Sequence, residues 1–517
     1  YDVADLAKGG FPKLQGYATA VVLCPDLSPF QDNIFTLCDW VEAGGRCMFF
    51  ATLDPTVVFR SIASKLGIVD GGVGYTSVVG LKIQDNFMVG AAGFEYAWEE
   101  PSASVLDVRL DAACTVHVAS NGANAVPMLW ERNYGKGRFV VNNHGMCEKV
   151  TRGLTAAAYS LLQDVFAYPV INSSVFFLDD FPSPVPMGNG EYIRKYFGRD
   201  ISSFYSNIWW PDMLKIAEKH GVRYTGVVIE DYSERTSGNF PRTTDTERFR
   251  YFGGLLLEKG GEIGIHGYNH MPLCPDGFDF LGKVDYETWP TANDMRSAIA
   301  ELMDFTKTLF PKNTISTYVP PSNILSAEGR AMLAESFPEI RTLSGVFLKE
   351  DYEYEQEFCV SDDGIVELPR IISGAILDPY MRWAAFNELN FQYVNSHFIH
   401  PDDVLDEDRG AALGWNTLRD NLDGYMDWLY GAAPGLRNQT AAEASRAVQR
   451  YDCLTVDRTL ENGVYRLNLQ GFADEAYLLL RLDGRCQKIT GGSLEQVNGS
   501  LYVLRATAPE VTVVLAS

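Results

Sequence analysis

Only seven histidines occur in the 517 residues, and four of them fall in two tight pairs, His266/His270 and His397/His400. Each pair follows a short apolar run, Glu262-Ile263-Gly264-Ile265 before the first and Phe391-Gln392-Tyr393-Val394-Asn395 before the second. A third polar cluster, Asp179-Asp180, closes the run Ser174-Val175-Phe176-Phe177-Leu178. Two imidazoles and one carboxylate are a standard donor set for a hydrolytic metal, with positions left for water and substrate. Asp180, His266 and His270 are therefore the candidate ligands, and the i, i+4 spacing of the two histidines brings both rings to one ion if the chain turns helical there. The helical His-Glu-x-x-His motif does not apply, because Gly267 occupies the Glu position. The general base has to come from elsewhere, and Asp179 beside Asp180 is available. Taken singly, each cluster has an ordinary reading. Asp-Asp can be a cap or turn, His-x-x-x-His a surface pair, and His-x-x-His before Pro401-Asp402-Asp403 a capped loop. Their joint recurrence at strand ends, in a chain so poor in histidine, is what points to a metal site.

The elements that must carry these clusters fall into three stretches. Residues 1–168 alternate strand and helix signals: strands at Ala18–Cys24, Cys47–Ala51 and Gly135–Val141, helices at Asp32–Ala43 and Thr151–Phe166. This predicts a parallel sheet and resembles the flavodoxin-like domain of the glutamine-amidotransferase superfamily. It has no Gly-x-Cys-x-Gly nucleophile elbow, so a non-catalytic accessory role is expected. Residues 169–450 repeat strand then helix, which predicts a (β/α) barrel with its chemistry at the carboxyl ends of the strands, where the clusters lie. From residue 451 short strands separated by glycine-containing turns, such as Val464–Leu469, Ala476–Leu482 and Glu510–Leu515, predict a small β-sandwich.

Composition narrows the function. Lys+Arg number 43 and Asp+Glu 67, a net charge of −24, and so acidic a chain repels phosphate backbones, which argues against nucleic acid as a partner. No apolar stretch is long enough to span a membrane, and the first residues carry no signal-peptide pattern; an upstream segment trimmed away would be compatible with this. The nine cysteines form no Cys-x-x-Cys, so a zinc ribbon or thioredoxin-type site is not expected, and most are expected to be buried small hydrophobes.

Together the three clusters resemble the NodB-homology polysaccharide deacetylases, over about residues 170 to 445. That family has an apolar strand ending in Asp-Asp, a His-x-x-x-His pair, and a late strand leading to a catalytic His. The resemblance implies that Asp179 is the base, that Asp180, His266 and His270 bind the metal, and that His400 is the general acid, with His397 in reserve. It implies a divalent metal, zinc first, with cobalt, nickel or manganese as alternatives. The family's Arg-Pro-Pro-Tyr stretch, whose Arg orients the catalytic Asp, corresponds here to Tyr318-Val319-Pro320-Pro321-Ser322-Asn323. Val319 stands where that Arg would be, so either another group holds Asp179 or activity is weakened. The run Asp179-Asp180-Phe181-Pro182-Ser183-Pro184 looks like that of a divergent, exopolysaccharide-associated branch, some of whose members modify biofilm polysaccharides.

The implied reaction is removal of N-acetyl groups from a polysaccharide outside the cytoplasm, at the cell surface or secreted, with the exopolysaccharide biosynthesis machinery as a possible associate. Trp209, Trp210 and Trp383 are candidate walls for sugar rings, and Asp231, Pro321 and Ser322 candidate substrate contacts. Two other readings stay open: a weak or inactive glycan-binding protein on a deacetylase scaffold, and a metal amidase or esterase acting on a non-sugar substrate. His117, His144 and His220 are expected to be structural.

Overall fold

The computed structural model describes every residue except 92, 99–102, 123, 184–189, 349–352 and 517. Pro184 of the Asp-Asp-Phe-Pro-Ser-Pro run thus lies outside the described residues.

The central part is built on nine strands: β1 Ser173–Leu178, β2 Thr225–Val228, β3 Glu262–Ile265, β4 Thr317–Tyr318, β5 Thr342–Leu343, β6 Cys359–Val360, β7 Val366–Glu367, β8 Ile372–Ser373 and β9 Val394–Ile399. They lie side by side in the order β6-β7-β5-β4-β3-β2-β1-β9-β8, all parallel except the β6/β7 pair. The two edge strands are not paired with each other among the described residues, so the expected ring is an open half-barrel. Both faces of the sheet are buried, which is why β1 and β2 read as continuous apolar runs instead of alternating. Phe176, Leu178, Val228 and Ile265 pack outward on helices through Trp210, Met213, Leu256 and Leu302. Val175, Phe177 and Val227 face the other way, onto Ala441, Ala444 and Val448. These last three belong to the helix Ala441–Asp452, whose small-residue face packs on this side of the sheet and whose start is fixed by a Thr440/Glu443 capping box.

Several helices follow from local chemistry. Thr291 caps Ala292–Leu309 by accepting from Asp294 N–H, and Met295, Ala298, Ile299, Leu302 and Leu309 give it one buried stripe. Asp378 and Pro379 start the helix Pro379–Phe391 in the same manner. Phe391, expected in a strand, is this helix's last residue, and the strand begins only at Val394.

The first stretch differs from expectation. Its seven-stranded sheet runs Thr19–Val22, Arg46–Phe49, Gly137–Asn142, Pro127–Tyr134, Cys114–Ser120, Gly80–Ile83, Glu95–Ala97, and only the first three strands are parallel. The reason is connection length. Pro127–Tyr134 and Gly137–Asn142 are joined by Gly135-Lys136 alone, with Gly135 at φ +59°, and a two-residue link can only make an antiparallel hairpin. The helix expected at Thr151–Phe166 stops at Ser160, and Val165–Val170 is a strand. That strand crosses residue 168 and pairs with Ala476–Leu482. With it, the C-terminal residues form two antiparallel four-stranded sheets around a shared apolar cluster that includes Ala167, Leu467, Leu480 and Val513. All nine cysteines are free, but only Cys38, Cys47 and Cys274 are buried, fewer than expected. Among the described residues no helix is long and apolar enough to cross a membrane.

Candidate metal centre

Parallel register brings the clusters to one level. Leu178 pairs with Ile399 and Val228 with Ile265, so Asp179-Asp180, His266 and His400 all emerge from the carboxyl ends of neighbouring strands. The His266 Nδ1 sits 2.8 Å from the Val319 carbonyl oxygen. Nδ1–H therefore donates there, and the Nε2 lone pair points into the site. His270 is oriented through Tyr286, whose hydroxyl lies 3.2 Å from its Nδ1 and 2.6 Å from Ser322 Oγ. Both Nε2 atoms face Asp180 Oδ1, at 3.6 Å for His266 and 3.9 Å for His270.

Asp180, His266 and His270 fit a divalent ion on two counts. Asp180 Oδ1 is a buried oxygen with no hydrogen-bond partner, which is costly unless a cation or donor satisfies it. The charge states agree. Burial pushes Asp180 up to about 7 and His266 down to about 4, and it carries His270 well below its ordinary value. Two neutral imidazoles and a carboxyl that no proton donor satisfies are what a metal ion takes up on binding.

Across from these donors lie Asp179 and His400. Asp179 Oδ2 is 3.7 Å from His400 Nε2 and 4.0 Å from His266 Nε2. The Arg370 guanidinium donates through Nη1 to the same oxygen. Burial alone would raise Asp179, but Arg370, with His266 and His400, holds it below its ordinary value. Arg370 is 2% exposed. Its Nη2 donates to Asn323 Oδ1, its Nε to the Gly345 carbonyl at 3.2 Å, and its head lies 4.1 Å from the Phe398 ring centroid. A buried Arg fixed on four sides holds one carboxylate ionised. Val319 itself is fully buried and contributes only its carbonyl, to His266. The cation missing from the Val319 position thus comes from the stretch between β7 and β8.

His400 shows the opposite shift. Burial would lower it, but Asp403, with Oδ1 3.6 Å from Nδ1, and Asp179 outweigh burial and push it up to about 9. Arg409 Nη1 in turn holds Asp403 at 3.4 Å and Asp402 at 3.1 Å. The site therefore pairs an ionised carboxylate with a protonated imidazole, the charge states of a general base and a general acid.

A family model described as an uncharacterised protein conserved in bacteria, DUF2194, matches residues 102–503. The chain belongs to this family. No curated protein matches the DUF2194 chain. Among solved structures it is similar to Agd3, a novel carbohydrate deacetylase, with a TM-score of 0.57 and 11% identity over 99% of this chain and 94% of that one. A partial likeness is to the peptidoglycan deacetylase PdaC from Bacillus subtilis, with a TM-score of 0.27 and 12% identity over 54% of this chain and 92% of that one. The likeness to Agd3 is one of fold, and at that level it bears out the resemblance to the NodB-homology deacetylases drawn from the motifs.

The other candidate residues of the DUF2194 chain separate into two groups. Ser322 and Pro321 are at the centre: Ser322 holds Tyr286, and Pro321 packs so close to Gly267 that a Cβ there would meet it at 2.9 Å. Trp209, Trp210 and Trp383 are each 1% exposed. Trp209 and Trp210 pack with Phe181, Phe252 and Trp415 behind the site, so they support it and present no face to a ligand. Trp383 stacks on Tyr96 of the first stretch, 4.8 Å centroid to centroid, and is not at the centre. His397 is also in the core, between Phe176 and Tyr425, with Nε2 2.7 Å from the Gly374 carbonyl. His400, with Nε2 3.7 Å from Asp179 Oδ2, is the imidazole that faces the aspartates. Asp231 sits on the loop after β2 and accepts from the Tyr232 backbone; burial and then the Asp180 charge raise the phenol of the adjacent Tyr232, which is 38% exposed. Arg370, Asn323, Tyr286, Asp403 and Arg409 were not found by sequence reasoning. Two further clusters of His with acids, at His220 and at Asp402/Asp403, are neutralised by Lys219 and Arg409. His117 is paired with Asp85 as a structural histidine would be, whereas His144 is buried with neither nitrogen partnered.

Proposed function

We propose that this protein is a metal-dependent hydrolase that removes N-acetyl groups from a polysaccharide. The observation that carries the reading is the opposed pair across the centre: Asp179 held ionised by Arg370, and His400 held protonated by Asp403, on either side of the Asp180/His266/His270 donors. Asp180, His266 and His270 would hold the ion, zinc first. When bound, such an ion supplies polarisation of the amide carbonyl and a lowered pKa for water. Asp179 accepts the proton of the attacking water. His400 gives its proton to the departing amine nitrogen, and Asp403 stabilises the imidazolium before transfer. Tyr286 and Val319 keep the two histidine rings aimed inward. The products are acetate and a free amino sugar.

Arg370 also supports catalysis over a weakened scaffold, because the cation that Val319 lacks is supplied from the stretch between β7 and β8. The likeness of fold to Agd3 supports a carbohydrate as substrate. The same proposal places the protein outside the cytoplasm, near exopolysaccharide synthesis. It takes residues 1–168 as an accessory α/β domain of flavodoxin-like kind and 451–517 as a β-sandwich. The test is acetate release from N-acetylated hexosamine oligomers by the full chain, chelated and then loaded with zinc or cobalt, beside acetylated peptides as a control. Release from the sugars that depends on metal supports the proposal. Metal-loaded protein that binds the oligomers without releasing acetate would favour a binding protein, and release from peptides alone an amidase.

A further inference from the structure

A cavity of about 400 Å³ lies between the first stretch and the helix Pro379–Phe391. Aromatic rings form much of its wall: Trp98, Tyr96, Trp383 and Tyr380. Three of them are in register, Trp98 tilted on Tyr96 at 5.4 Å and Tyr96 stacked on Trp383 at 4.8 Å and 4°. Trp383 and Tyr96 are buried and set the ring stack, whereas Tyr380 is 48% exposed and Trp98 half-buried, so ring surface remains for a ligand. Among the described residues the one charged side chain of the wall is Glu148, exposed, and no Lys, Arg or His lines the cavity. Asp378 stands beside it: the Glu148 and Asp378 charges, after burial, are among the causes that raise the Tyr96 and Tyr380 phenols.

Rings with a carboxylate and no competing cation are the chemistry that selects an ammonium group, through cation–π attraction and a charge-assisted hydrogen bond. We propose that this cavity binds an ammonium-bearing ligand, and that the ligand is an amino-sugar unit of a deacetylated glycan. The identity of the ligand rests on the function proposed above; the preference for a cation does not. The placement suits a product strand. Gly374, at the start of the loop that leads from β8 to Asp378 and Tyr380, lies near Asp403, the partner of His400: a Cβ added there would stand 3.9 Å from Asp403 Oδ2. A polymer deacetylated at the centre would stay tethered here by its new amines.

The test is calorimetric titration of the full chain at pH 6 with three probes: tetraglucosamine, its fully N-acetylated counterpart, and choline. Tetraglucosamine should bind at least about tenfold more tightly than the acetylated form. Glu148→Gln, an exposed change, should remove most of that preference, as should Trp98→Ala checked for intact thermal unfolding. The metal-centre variant His266→Ala should keep the preference although acetate release is lost. Binding of choline without tetraglucosamine would keep the ammonium site and overturn its assignment to amino sugar. Equal affinity for both oligomers, or a preference untouched by Glu148→Gln and Trp98→Ala, would overturn the proposal. Tetraglucosamine binding in a protein that releases no acetate would leave this site standing and remove the proposed function alone.

Discussion

Arg370→Met removes a buried cation and leaves its partner in place. Asp179 and Arg370 are both at most 2% exposed, and deleting one member of such a pair costs about 3–5 kcal/mol because the other is left buried and uncompensated. For a cooperative unit of about 250 residues, about 2 °C per kcal/mol gives a loss of about 6–10 °C in Tm. The pH dependence is more diagnostic. In the wild type Asp179 has its folded value below the unfolded one, so its contribution is present above the unfolded value and is lost as pH falls through the folded value. Without Arg370, burial, the largest influence on Asp179, is opposed only by the two histidines, and the folded value rises above the unfolded one. The variant then loses stability as pH rises through that new value. The Tm gap between variant and wild type should therefore widen from pH 5 to pH 8. Calorimetry on chelated protein measures this without interference from metal, and acetate release measured in parallel should lose activity on its acid side, where Asp179 now takes up a proton. Arg370→Lys restores charge but not the fork that reaches Asn323 and Gly345 together, so it should recover part of both effects. A Tm gap that is absent, or that is the same at pH 5 and pH 8, would refute the assignment of Arg370 as the group that keeps Asp179 ionised.

Other tests address the rest of the centre. His400→Gln should lower kcat by about 10²- to 10⁴-fold, the usual range for a lost general acid, with metal content unchanged by elemental analysis. Asp403→Asn should move the alkaline limb of the rate profile to lower pH: Asp403 helps to keep His400 at about 9, so its loss deprotonates the acid sooner. In Asp180→Asn the stabilisation by added zinc should vanish; in the wild type it should reach about 2.7 kcal/mol at a hundredfold excess over Kd, read as a Tm shift on loading. Away from the site, burial raises the Glu388 carboxyl to about 8. With a folded value above the unfolded one, its contribution is lost as pH rises through about 8. Glu388→Gln should flatten the decline in Tm over that window, and an unchanged slope would show that another group causes it.

The candidate metal donors were legible because chemistry and period coincide there. A parallel strand buried on both faces reads as an unbroken apolar run, and the polar residue that ends it stands out; Asp179-Asp180, His266 and His400 are all found this way. The open sheet was less legible, since two-residue strands such as β4, β5 and β7 leave almost no periodic signal. Two of the tryptophans misled for a related reason: Trp209 and Trp210 are aromatic enough to hold sugar, but at 1% exposure their rings are taken up by packing. Sequence spacing gives residue type and not direction. The same limit hid Asp403, whose role depends on a turn that brings its carboxylate back to His400.

Arg370 shows the limit most clearly. Asp179 needs a positive neighbour on Oδ2, but electrostatics does not say which strand must supply it. A motif search that looks for Arg at one place finds Val319 and records a loss, whereas the field at Asp179 is restored from β7–β8, about 50 residues further along the chain. The backbone around it shows what holding this arrangement requires. Asp180, His270, Ser322 and Asn323 all have positive φ, between 48° and 60°, a region that costs a non-glycine residue about 1 kcal/mol or more. Asp180 and His270 are candidate donors, Ser322 positions Tyr286, and Asn323 accepts from Arg370. Four residues in an unfavourable region at one site, each tied to a donor or to the guanidinium, persist because the hydrogen bonds around them overdetermine their backbone. Such a site is preorganised before any ligand arrives, which is the condition under which an ionised Asp179 and a protonated His400 can face each other without neutralising.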